Sequence, residues 1–152
     1  MAWYTESVVD DVTYYDVTIG SDGGVVANVN SQNLFFAIGY GINDNVSIDG
    51  LENLDTSLVT NMSSMFQYCK NSTNLDVSHF NTSNVTNMKN MFFGCNNLTN
   101  LDVRNFNTGK VTSYFSMFTG VPNNALIYVS TEEMKAWVLD KKSSFTNVQV
   151  VT

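Results

Sequence analysis

The segment "LDVSHFNTSNVTNMKNMFFGCNNLTN" (75–100) runs directly into "LDVRNFNTGKVTSYFSMFTG" (101–120) and follows "LENLDTSLVTNMSSMFQYC" (51–69). Offsetting the chain by 26 residues superposes Leu75 on Leu101, Val77 on Val103, and Leu54 on Phe80 and Phe106. Further columns are Val59, Val85 and Val111; Met65, Met91 and Met117; and Phe66, Phe92 and Phe118. A period of this length is the signature of a stacked-repeat architecture, in which no unit can bury its own apolar face and each relies on its neighbours. One residue type per column follows, because each position meets a near-copy of itself.

Two periodicities divide each unit. "LDV" alternates as a short strand does, with Leu75 and Val77 on one face. Val85, Met88, Met91, Phe92 and Cys95 then recur at the spacing of one helical stripe. Thr82 and Ser83, repeated as Thr56/Ser57 and Thr108, stand where a helix N-cap belongs; Gly94, Gly120 and Pro122 stand where a helix would end. Asp55, Asn81 and Asn107 share one column between strand and helix, where a side chain can tie off loop backbone groups.

The segment "LDVSHFNTSNVTNMKNMFFGC" resembles the BspA-type leucine-rich repeat of bacterial surface proteins, in which variants of "LDxSxFxTSxVTxMxxMFxxC" recur. The resemblance is strong over about residues 46–121. Three positions depart from it: Ser72 stands where Leu98 does, Tyr114 replaces Met88, and Val121 replaces the cysteine. The last two fit a terminal rung that meets a different neighbour. The resemblance implies an α/β fold, a short right-handed solenoid of about three strand-helix rungs, and a role in surface display and adhesion.

We therefore expect a single domain over 1–152: an N-terminal cap and degenerate first rung in 1–45, repeats in 46–121, and a C-terminal cap in 122–152. Upstream, "VTYYDVTI", "SDGG" and "VVANV" predict a β-hairpin with Tyr15, Val17 and Ile19 on one face. Trp3, Tyr4, Tyr14, Tyr15, Phe35, Phe36 and Tyr40 crowd this end, as cap core or as an exposed binding patch. Downstream, "ALIYV" predicts a strand, Ser130 with Glu133 a capping box opening a helix that buries Met134, Trp137 and Val138, and "NVQVV" a last strand.

Charge is unevenly placed. Residues 1–69 carry nine acids and no Lys or Arg, whereas 70–152 carry five acids and all seven bases, giving −9 and +2. A phosphate-binding protein needs a basic face, so direct nucleic-acid binding is not expected. The opening "MAWYTESVVDD" lacks a basic n-region and an apolar run, and no segment approaches a membrane span. The chain is then expected to be cytoplasmic, exported by lysis or in a particle, or a mature fragment of a longer protein; the resemblance implies an extracellular site on a bacterial cell surface or virion.

Little in the sequence suggests catalysis, and neither a cofactor nor a metal is expected. The single histidine, His79, aligns with Asn53 and Asn105 in a turn. Cys69 and Cys95 lie one period apart, either as one buried thiol position seen twice or as a bridged pair. Asp76 and Asp102 alternate with apolar residues and point outward, as a stacked ladder or as paired carboxylates. The sequons at Asn45, Asn61, Asn71, Asn81, Asn84 and Asn97 arise mostly from the repeated turn.

Two functions remain. The first is a non-enzymatic binding module whose outward strand residues Asp76, Ser78, Asp102 and Arg104 meet a protein or cell-surface glycan. The second is a small acidic inhibitor that blocks a basic groove of a nucleic-acid-handling host enzyme, which would place it in the cytoplasm.

Overall fold

A computed structural model describes residues 2–9, 12–19, 24–38 and 46–151, the first two stretches by strand pairing alone. Tyr40, Asn45, residues 21–23 of the expected hairpin turn, and the side chains of Trp3, Tyr4, Tyr14, Tyr15, Val17 and Ile19 lie outside the described residues. Strands β1 (Ala2–Val9) and β2 (Val12–Ile19) pair antiparallel, and β2 pairs in parallel with β4 (Val46–Asp49). The expected hairpin partner of β2, "VVANV", goes elsewhere. Its strand β3 (Val25–Val26) pairs in parallel with β5 (Leu54–Asp55), because stacking on the corresponding segment of the next rung competes with folding back through a local turn.

The same rule runs down the chain. Strands β6 (Asn74–Leu75), β7 (Asn100–Asp102), β8 (Leu126–Val129) and β9 (Val148–Val150) form one parallel sheet in that order, with Leu75 opposite Leu101 and Leu101 opposite Ile127. On another side of the rungs, parallel bridges join Asn30 to Asn61, Asn61 to Asn87 and Asn87 to Ser113. Consecutive repeats therefore lie upon one another.

The segments expected as helices fold otherwise. An α-helix bonds each N–H to the carbonyl four residues back. Here the N–H groups of Met62, Ser64, Phe66 and Tyr68 instead donate to the carbonyls of Asn87, Lys89, Met91 and Phe93 in the next rung. Those of Met88, Asn90, Phe92 and Gly94 donate to Ser113, Phe115, Met117 and Thr119. The alternate N–H groups, Met65, Gln67 and Cys69, reach back only to Met62, Ser64 and Phe66. The outcome is a run of turns with positive φ every fourth residue: Ser64 (56°), Tyr68 (63°), Asn90 (56°), Gly94 (75°), Ser116 (56°) and Gly120 (90°). Such a ribbon sends Val85, Met88, Met91, Phe92 and Cys95 inward as a helix would, so the hydrophobic stripe is the same.

With no helix to start, Thr56 and Thr82 do not act as N-caps. Each is buried and bridges two rungs: Thr82 Oγ1 donates to the Asn107 carbonyl at 3.1 Å and accepts from the Asn107 N–H at 2.7 Å. Thr56 does the same to Asn81, at 3.2 and 2.8 Å. The expected loop-tying column is present: the side chains of Asp55, Asn81 and Asn107 accept from the N–H groups of Ser57, Ser83 and Gly109 at 2.9, 3.1 and 3.0 Å.

The centre of the stack is a column of phenylalanines. Phe35, Phe66, Phe92 and Phe118 are buried with successive ring centroids 5.2, 5.8 and 6.0 Å apart and planes within 11°. Beside it, Cys69 and Cys95 are free thiols, each fully buried and donating to a carbonyl of the preceding rung, Phe35 at 3.1 Å and Phe66 at 3.2 Å. Burial pushes the Cys69 thiol up to about 12, and the Cys95 thiol upward as well.

Helix α1 (Glu132–Lys141) closes the C-terminal end. Its N-cap is Thr131, whose hydroxyl accepts from the Met134 N–H at 3.0 Å, and not Ser130, which stands one residue too early to reach that N–H. Met134 and Val138 are buried, whereas Trp137 is half-buried, edge-on to Tyr114 at 6.1 Å.

Candidate partner-binding face

The β6–β7–β8 sheet arranges its residues in rows across the rungs. Leu75, Leu101 and Ile127 point inward and are fully buried. The next residues, Asp76, Asp102 and Tyr128, form an outward row, with Asp102 directly opposite Tyr128. Val77, Val103 and Val129 turn inward again, and Ser78, Arg104 and Ser130 follow outside. Alternation along a strand gives the first part of this pattern, but β6 ends at Leu75 and β7 at Asp102, so Ser78 and Arg104, expected on the strands, lie in the turns that follow.

All four residues predicted for partner binding, Asp76, Ser78, Asp102 and Arg104, line one cleft of about 300 Å³. Asn74, Leu75, Asn100 and Tyr128 complete it. Tyr128 escapes a reading of the sequence that treats "ALIYV" purely as a cap. Extending the 26-residue period to Ile127 would have placed Tyr128 in the Asp76/Asp102 column.

Each aspartate is held by its own turn. Asp76 Oδ1 accepts from the Ser78 N–H at 3.1 Å and from the Ser78 hydroxyl at 2.6 Å. The Ser78 hydroxyl chiefly holds the Asp76 carboxyl below its ordinary range. Partial burial opposes that shift, and the Ser78 N–H and the charges of His79 and Arg104 assist it. Asp102 accepts from the Arg104 N–H at 3.1 Å and from its guanidinium, Nε at 3.0 Å to both oxygens and Nη2 at 2.6 Å to Oδ2. This pairing raises the Arg104 pKa.

Each carboxylate is thus tied to its own turn, Asp76 to Ser78 and Asp102 to Arg104. His79 Nδ1 lies 3.2 Å from the Ser78 hydroxyl, and Asn105 Nδ2 donates to the Ser78 carbonyl at 2.6 Å. Among the described residues, no group of three or more His, Cys, Asp or Glu is placed to hold a metal ion, and no helix is long and apolar enough to cross a membrane.

A family model described as "Mycoplasma protein of unknown function, DUF285" matches residues 30–149. No curated protein and no solved structure matches the chain.

Proposed function

The chain belongs to the DUF285 family, and on that premise we propose that it is a non-enzymatic binding module. In this reading the rungs form a short right-handed solenoid of the BspA leucine-rich-repeat kind, and the outward strand face contacts a protein or glycan on a bacterial cell surface or phage particle. One observation carries the proposal. Four polar residues from two rungs converge on a single cleft, while the residues between them are buried in the stack. The turn bonds at Asp76 and Asp102 hold these groups in place before any partner arrives, which lowers the ordering cost of binding.

The test is direct. Labelled protein is incubated with bacterial envelope fractions beside a variant carrying Asp76→Ala, Ser78→Ala, Asp102→Ala and Arg104→Ala. We expect the variant to lose most binding while keeping its fold by circular dichroism; unchanged binding removes the assignment.

A second reading, an acidic inhibitor of a nucleic-acid-handling host enzyme, is favoured by a neighbouring cleft of about 350 Å³ that includes Asp49, Glu52 and Asp76. Binding of that kind weakens steeply with added salt.

A further inference from the structure

Resting on the reading of this face as a binding surface, we infer that the cleft between Asp76, Asp102, Arg104 and Tyr128 holds a neutral saccharide ring. The strands beneath its Asp102 and Tyr128 side decide against a peptide added there as a further strand. β7 is paired on both sides, to β6 and β8, and β8 is paired to β7 and β9. β6, which also lines the cleft, is the edge of this sheet and, among the described strands, pairs only with β7; beneath Asp102, Arg104 and Tyr128, however, both strands are paired on each side, so recognition at that part of the cleft falls to side chains.

Those side chains are planar and two-pronged. Asp76 turns Oδ1 to Ser78, leaving Oδ2 as an acceptor. Arg104 turns Nε and Nη2 to Asp102, leaving Nη1 as a donor. Asn74 and Asn100 stand opposite each other in register, each with an amide that both donates and accepts. Adjacent sugar hydroxyls also donate and accept in pairs, and groups of this shape satisfy two at once. Tyr128, in the same row as Asp102, supplies an aromatic surface for the C–H face of a sugar ring. A cleft of about 300 Å³ accommodates one or two such rings.

Charge then selects among sugars. The cleft holds two carboxylates and one guanidinium, and Asp49 and Glu52 line the cleft next to it. An anionic sugar meets net repulsion, and a neutral one does not.

The experiment is an amide NMR titration of the whole chain with methyl glucoside, methyl galactoside, methyl mannoside and N-acetylglucosamine, with glucuronic acid as the anionic control. We expect at least one neutral sugar to shift amides clustered at Asn74, Asp76, Asn100, Arg104 and Tyr128, with a dissociation constant on the order of 1 mM. Glucuronic acid should bind more weakly. Tyr128→Ala should weaken binding about tenfold, and Tyr128→Phe, which keeps the ring and guards against a folding artefact, should bind like the parent. The inference is overturned if none of the neutral sugars moves these amides, or if glucuronic acid binds as well as they do. Loss of envelope binding in the four-alanine variant alongside silent sugars would keep the face as a binding surface and reject the saccharide; failure of both would reject both.

Discussion

The two ends of the stack are finished differently. At the C-terminal end Phe145 packs edge-on to Phe118 at 5.6 Å, ending the ring column, and Lys142 donates to the carbonyls of Val121 and Phe118. At the N-terminal end, the row of bonds between rungs is followed only as far as the described residues of the first rung. The carbonyls of Asn61, Ser63, Met65 and Gln67 accept from Ser31, Asn33, Phe35 and Ala37, but no described N–H donates to the matching carbonyls of Asn30, Gln32, Leu34 and Phe36. Leu34 and Phe36 are 47% and 45% exposed beside that row. A repeat protein holds its termini by what covers them, so a difference in how readily the two ends open can be tested directly.

The largest effect separates Phe118 from Phe35. Phe118 lies between two rings, whereas Phe35 has one described ring neighbour, Phe66. Phe118→Ala should cost about 3–5 kcal/mol in urea unfolding, and Phe35→Ala about half of that, since its rung can fray alone; equal costs would erase the contrast.

A smaller effect of opposite sign is expected at Ser72, on the N-terminal side of the stack. It is fully buried, and its hydroxyl is unpaired, where the next rung places Leu98. Ser72→Ala should raise stability by about 1 kcal/mol, read as a higher denaturation midpoint; a loss would mean the hydroxyl is satisfied.

The smallest effect concerns pH. Because the folded Asp76 carboxyl titrates below its ordinary value, it contributes stability that is present above the unfolded value and lost as pH falls through the folded one. Ser78→Ala removes the main cause. The carboxyl titration followed by ¹³C NMR should then move upward, with a small fall in melting temperature at neutral pH that disappears in acid; an unmoved titration would assign the shift to another group.

The columns of the repeat were legible because stacking enforces residue identity: Phe66, Phe92 and Phe118, or Cys69 and Cys95, occupy equivalent buried positions in successive rungs. What the columns obscured was the backbone between them. Ser64, Tyr68 and Asn90 adopt positive φ without being glycine, and only Gly94 and Gly120 advertise that conformation. Reading those two as helix ends was reasonable, yet a β-carbon at Gly94 would come within 2.6 Å of the Tyr68 ring, so that glycine also clears space for the rung before it. Alternation placed Asp76 and Asp102 outward, whereas Ser78 and Arg104 reach the same cleft from the turns that follow and not from the strands. Tyr128 and the pairing of β3 were not legible, because both depend on carrying the register past the strongest copies.

The parallel pairing of copy on copy makes this a molecule with a natural quantum of length. Inserting one more 26-residue unit between existing ones would lengthen the body by about 4.8 Å, the spacing of neighbouring strands, and every flanking bond would find an equivalent partner. Gene duplication can thus extend the reach of such a protein, like links added to a ruler, while both of its ends stay as they are.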